Sequence, residues 1–160
     1  MKKLALVTGL ALALATSAQA DVIRHTTPGS NFPILRAVEI PPEATLVYLS
    51  GVVPVVTNKE APQGSAEAFG NTRDQTISVL ERISANLEDI DLSIGDVVKM
   101  QVYLVADASG RMDFSGFMEG YTQFFGTEKQ PNMPTRSVFQ VAGLANPNWL
   151  VEIEVVAVRD

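Results

Sequence analysis

Pro134-Thr135-Arg136-Ser137, the strand-like Val138-Phe139-Gln140-Val141-Ala142, an Asn146-Pro147-Asn148 turn, and then Val151-Glu152-Ile153-Glu154-Val155-Val156-Ala157-Val158 form the stretch whose reading decides the fold. In the last run, the period of a β-strand puts Glu152 and Glu154 on one face and Val151, Ile153, Val155 and Ala157 on the other. The Asn-Pro-Asn turn predicts that the two strands pair with each other as a hairpin. In that pairing Arg136 stands opposite the region near Ala157, and at about 3.4 Å per residue Glu152 lies about 15 Å along the ladder. Within one chain the two groups would not meet; a neighbouring subunit could bring them together.

The residue types give this spacing a chemistry. An arginine fixed just after a proline presents a rigid, always-charged guanidinium fork suited to bidentate binding of a small carboxylate. A glutamate on the adjoining strand can act as a general base if it is ionised and within reach of a water. Taken alone, a Glu-x-Glu strand reads as the wet outer face of an antiparallel sheet, and an arginine after a turn as a surface charge.

Working toward the N-terminus, Arg111 to Phe125 reads as a helix with an apolar stripe of Phe114, Phe117, Met118, Tyr121 and Phe125. Such a stripe is core before it is a ligand box. Asp96 to Ala106 is a strand, with Val98, Met100, Val102 and Leu104 on one side and Lys99 and Gln101 on the other. From Ser65 to Leu87 the period lengthens: Phe69, Thr72, Thr76, Leu80, Ile83 and Leu87 mark one helix face, capped by Ser65 or Asn71. Ile34 to Ile40 and Leu46 to Val53 are β-rich runs joined by Pro41-Pro42-Glu43-Ala44, a hairpin signal with a prolyl turn. The order ββαβαββ predicts an α+β fold, a mixed sheet with two helices on one face.

Lys2 and Lys3, an apolar run from Leu4 to Ala15, and Ala18-Gln19-Ala20 read as a secretory signal peptide, residues 1–20, cleaved after Ala20. The run is too short for a spanning helix of about 20 residues, so no membrane anchor is expected after cleavage. Residues 21–160 then form one domain, exported to the periplasm or beyond. With 0 Cys, stability has to come from a packed core, with subunit contacts as an optional addition, instead of cross-links. The net charge of −6 falls to −8 when Lys2 and Lys3 are removed, and no basic run remains, which argues against nucleic acid as a partner. His25, the only histidine, lies close to the mature N-terminus and reads as a flexible-end residue, so no metal site is expected. Without a glycine-rich phosphate loop or a nucleophile elbow, no cofactor is expected either.

Pro134-Thr135-Arg136-Ser137, the terminal Val151–Val158 run, Gly95-Asp96-Val97-Val98-Lys99, Leu49-Ser50-Gly51 and Tyr121-Thr122-Gln123-Phe124-Phe125 resemble, in order and spacing, the RidA (YjgF) family of enamine and imine deaminases. The resemblance implies a chorismate-mutase-like fold, assembly as a homotrimer, and active sites in clefts between subunits. It also implies hydrolysis of a reactive imine to a 2-oxo acid and ammonia. Arg136 matches the family arginine that holds the substrate carboxylate, and Glu152 the acid that orients or deprotonates the attacking water. Ser50 falls on a serine that binds substrate or water, or simply ends a strand with a hydrogen bond; Glu154 reads as structural. Two substrate-binding positions depart from the pattern: Ile34 stands where a tyrosine is frequent, and Val138 where a cysteine follows the arginine by two residues. The pocket is thereby less polar, while a role played by the backbone carbonyl of Val138 would survive the change. Ribonuclease activity, attributed to some members, finds no electrostatic support here. Two other readings stay open, a binder of small carboxylates without turnover and a structural trimer.

Overall fold

The computed structural model describes residues 21–106 and 109–159; the expected signal segment, residues 1–20, lies outside the described residues. Along the chain run β1 (Ile23–Thr26), β2 (Leu35–Glu39), β3 (Thr45–Tyr48), α1 (Thr72–Glu88), β4 (Val97–Val105), α2 (Phe114–Tyr121), β5 (Thr135–Val141) and β6 (Val151–Arg159). The architecture is α+β, with both helices on one face of a mixed four-stranded sheet ordered β3-β6-β4-β5. β1 and β2 form a separate two-stranded sheet. The short β1 escapes a reading by periodicity, since Ile23-Arg24-His25-Thr26 holds a single large apolar residue.

Both hairpins expected from the turns give way to longer-range pairings. The Pro41 turn closes as expected, with Ala44 N–H donating to Pro41 O at 3.1 Å. β2 nevertheless pairs with β1, and β3 with β6. β5 does not fold back on β6. The α2 crossover lays it parallel to β4, with Arg136 opposite Met100. β6 lies between β3 and β4. Burial explains the choice: Val151, Ile153, Val155 and Ala157 are at most 2% exposed, so β6 suits an interior position, while the half-exposed β5 suits an edge. Arg136 therefore lies away from Ala157, on the far side of β4 from β6.

The helices form where the periodicity places them, with tighter ends. Gly70, at φ +78°, turns the chain between a 3-10 turn at Ala66–Ala68 and α1, a conformation that favours glycine. Asn71, not Ser65, caps α1: its Oδ1 accepts from Asp74 N–H at 3.0 Å. α2 begins three residues later than expected, where Asp113 Oδ1 accepts from Gly116 N–H at 2.8 Å. Val79, Leu80, Ile83 and Leu87 of α1 and Phe117 and Tyr121 of α2 are fully buried against Met100, Val102, Leu104 and the inward residues of β6. Each such side chain contributes about 1.5–3 kcal/mol. The helices approach closely because α2 offers Gly120 to α1, where a Cβ would come within 2.8 Å of the Thr76 methyl.

His25 is not a loose-end residue. It sits in β1 and its Nε2 lies 2.7 Å from Glu39 Oε1 on the neighbouring strand.

Candidate active site

Strand period decides where Arg136 points. It shares a face with Met100 and Val138, which is the face covered by the helices, and its guanidinium is therefore drawn under α2. Its Cζ lies 4.1 Å from the ring centroid of Tyr121, 5.0 Å from Phe117 and 5.8 Å from Phe32. Nη2 reaches the Met118 sulfur at 3.3 Å. Nε and Nη1 are buried and find no hydrogen-bond partner among the described residues. Burial lowers the guanidinium pKa from its usual value, with Tyr121 opposing the shift. The cation is thus held in an aromatic bed with two donors unanswered.

The segment carrying Arg136 is fixed at several points. Pro134 is buried, its carbonyl accepts from Leu35 N–H at 3.2 Å, and Thr135 Oγ1 donates to Val98 O at 3.0 Å. Arg24 donates to Met133 O at 2.8 Å, to Gly95 O at 3.0 Å and to Val97 O at 3.1 Å, tying β1 to the turn before β5. The bond from Leu35 also brings the start of β2 beside Arg136. Ile34 is half-buried there and lines a cleft of about 320 Å³ with Phe32, Pro33, Gly126 and Met133. Val138 is half-buried, opposite Val102 and packed against the core.

Glu152 stands elsewhere. It is opposite Tyr103, on the sheet face away from the helices, and half-buried. Three residues along the strands and two strand spacings across put it about 14 Å from Arg136 in the plane of the sheet, and the two side chains project from opposite faces. Beside Glu152 lies Gly51, so close that a Cβ there would collide with the carboxylate. Ser50 precedes this glycine and is exposed. The structure therefore gathers the five predicted residues into two groups, Arg136 with Ile34 and Val138, and Glu152 with Ser50, and does not join the groups within one chain.

Two supports hold the second group. The isolated bridge between Val52 and Ile153, with reciprocal bonds of 2.9 and 3.0 Å, brings the Ser50-Gly51 segment against β6. Gln75, fully buried in α1, accepts from Leu150 N–H at 2.7 Å and donates to Asn148 O and Gly70 O, each at 3.0 Å, setting where β6 begins. Glu154 accepts from the Tyr103 hydroxyl at 3.1 Å. Burial and the Glu154 carboxylate both raise the Tyr103 pKa above 10.

Phe32, Phe117, Met118 and Tyr121 were not among the residues expected to surround the guanidinium. The signal was present: Thr135-Arg136-Ser137-Val138 alternates, so if Val138 points into the core Arg136 does too, toward the α2 stripe.

The site thus consists of an α+β fold with a half-buried arginine whose Nε and Nη1 meet no acceptor among the described residues. Residues 35–159 match the Endoribonuclease L-PSP family, and the chain belongs to this family, also called YjgF/RidA. It is 37% identical over 132 residues to the Escherichia coli (strain K12) protein named "Putative reactive intermediate deaminase TdcF", covering 82% of this chain and 91% of that one. It is 29% identical over 138 residues to the 2-iminobutanoate/2-iminopropanoate deaminase of the same strain, covering 86% and 96%. The crystal structure of E. coli TdcF with bound serine superimposes with a TM-score of 0.57 at 32% identity, covering 89% of this chain and 100% of that one.

Proposed function

We propose that this protein hydrolyses reactive 2-imino acids, or the enamines in equilibrium with them, to 2-oxo acids and ammonia. The observation that carries the reading is the Arg136 guanidinium, buried against aromatic rings with two N–H groups unanswered. A carboxylate is the charged acceptor that such unanswered guanidinium donors lack. Family membership and the serine seen in TdcF support a small amino-acid-like ligand. Water adds to the C=N carbon while Glu152 takes one of its protons and returns it to the nitrogen, and the resulting carbinolamine passes its hydroxyl proton to the nitrogen as the carbon–nitrogen bond breaks, leaving the 2-oxo acid and ammonia.

Since Arg136 and Glu152 face opposite ways in one chain, the reading requires the acid of a neighbouring copy, in a homotrimer with its sites between subunits. The outer sheet face supports this. Tyr48, Leu46 and Phe139 are 74%, 41% and 48% exposed there, and Phe139 stacks on Tyr103 with ring centroids 6.3 Å apart. Light scattering on the purified protein is expected to report three chains. Co-expressing the Arg136→Ala and Glu152→Gln variants should restore one site in each mixed trimer, roughly a quarter of wild-type sites over all randomly assembled trimers, because each shared site draws on two chains. No recovery would place both residues of a site in one chain and sink the shared arrangement.

The decisive assay generates imino acids with an amino-acid oxidase and follows their conversion to 2-oxo acids by wild type and by Arg136→Ala. Acceleration that vanishes in the variant is the expected result. No acceleration with small, branched or aromatic imines would leave the non-catalytic carboxylate binder, a reading that the apolar Ile34 and Val138 favour. The Lys2-Lys3 start, the apolar run and Ala18-Gln19-Ala20 support export, with the mature chain beginning at Asp21. An exported oxidase or dehydrogenase acting on amino acids would then supply the imine. Among the described residues no helix is long and apolar enough to cross a membrane.

A further inference from the structure

We propose that the Tyr121 hydroxyl is a further hydrogen-bond donor to the carboxylate held by Arg136, so that the acid is received by the phenol together with the guanidinium and not by the guanidinium alone. The proposal rests on the carboxylate-clamp reading of Arg136. Tyr121 is fully buried, and its hydroxyl finds no hydrogen-bond partner among the described residues. Its ring packs between Phe117 and Phe125, with centroids 5.8 and 4.9 Å away, and carries the guanidinium at 4.1 Å. A phenylalanine would fill the same space without burying a hydroxyl. An unanswered buried hydroxyl costs stability. Here it lies beside two more unanswered donors, Arg136 Nε and Nη1.

The hydroxyl and the guanidinium lie within hydrogen-bonding reach and perturb each other's ionisation, but they are not aligned into a bond, and because a guanidinium only donates, the phenolic hydrogen has no acceptor there. Neighbouring donors without an acceptor are complementary to a group that only accepts, and a carboxylate, with two oxygens and about four lone-pair sites, can take the phenol proton beside a guanidinium N–H. Burial pushes the Tyr121 pKa up to about 12, against the opposing effect of Arg136, so the phenol keeps its proton and donates at neutral pH. Phe32, 46% exposed, borders both the guanidinium and the cleft lined by Pro33, Ile34 and Met133.

The test is Tyr121→Phe, which removes one oxygen and no packing. Thermal unfolding is measured without ligand, and the binding of pyruvate, a stable 2-oxo acid, by titration calorimetry. The expected result is a melting temperature equal to or above that of wild type, with pyruvate bound about 10-fold more weakly. In the deamination assay KM should rise by a similar factor while kcat holds. Unchanged affinity in a folded Tyr121→Phe protein overturns the proposal. A lower melting temperature overturns it too, because it shows that the hydroxyl already has a partner in the free protein. Arg136→Ala separates the two levels: lost pyruvate binding there, with none lost in Tyr121→Phe, defeats this proposal alone. Unchanged binding in Arg136→Ala defeats the clamp reading beneath it.

Discussion

Replacing Gly51 by alanine would displace the Glu152 carboxylate while leaving the fold in place. The backbone of Gly51 is not in the left-handed region, so alanine fits its φ and gains the usual advantage over glycine of about 0.4–1 kcal/mol through the unfolded chain. The cost falls on one side chain. An ideal Cβ at residue 51 meets Glu152 Oε1, and behind it Cδ at 3.0 Å and Cγ at 3.3 Å. The carboxylate has to retreat by ~1 Å or more to reach ordinary van der Waals separation. It is the far end of a flexible side chain, so the retreat is a rotamer change costing about 0.5–1.5 kcal/mol. The two stability effects nearly cancel, and the melting temperature should stay within about 4 °C of wild type. Catalysis does not cancel. A base moved ~1 Å from a positioned water loses about 100-fold in rate, which is about 2.7 kcal/mol of transition-state stabilisation. The assay is steady-state deamination of oxidase-generated imines together with thermal unfolding. A folded Gly51→Ala protein with wild-type kcat would refute the reasoning, because the displaced carboxylate could then not be the base.

Three further outcomes follow from the packing. Gln75→Leu removes a fully buried amide that joins Gly70, Asn148 and Leu150, and should cost about 3 kcal/mol, moving the urea midpoint down by about 1–2 M; an unmoved midpoint would show that the bridge contributes nothing. Gly120→Ala pushes a methyl into Thr76 and toward Arg73 O at 3.1 Å, which should cost about 2 kcal/mol in denaturant titrations, and a neutral result would mean that the α1–α2 contact yields freely. For Tyr121 the folded pKa, about 12, lies above the unfolded value of 10. The stability linked to its proton is therefore complete below pH 10 and is lost as pH rises toward 12. Between pH 8 and pH 11 wild type should lose about 1.4 kcal/mol that Tyr121→Phe retains, and parallel pH profiles for the two proteins would contradict the burial of the phenol.

Much of this was legible in the chain itself. The alternation through Met100, Val102 and Leu104, and again through Val151, Ile153 and Val155, predicts which sides of β4 and β6 are buried, and the structure buries those sides. The 3.6-residue spacing of Leu80, Ile83 and Leu87 predicts the inward face of α1, and Asn71 is one of the two caps expected for it. These properties depend on residues a few positions apart, where backbone geometry leaves only two periods to choose between. The motifs around Arg136, Gly95 and Tyr121 carry the family resemblance for the same reason, since they are read locally, and the match over residues 35–159 establishes it.

Strand partners were decided elsewhere. The turns at Pro41-Ala44 and Asn146-Pro147 favour two hairpins, but a turn contributes little beside a strand that can bury all its inward side chains. β6 does so between β3 and β4, and the α2 crossover carries β5 to the outer side of β4. That topology sends Arg136 beneath the helices and leaves Glu152 on the bare face, a separation that no spacing in the sequence expresses. It also turned Tyr121 from one more apolar residue of a stripe into the neighbour of a buried cation. Local chemistry depends on near neighbours along the chain, whereas the meeting of an arginine in β5 with a ring in α2 depends on which competing pairing buries the most surface, a comparison made only by the folded molecule as a whole.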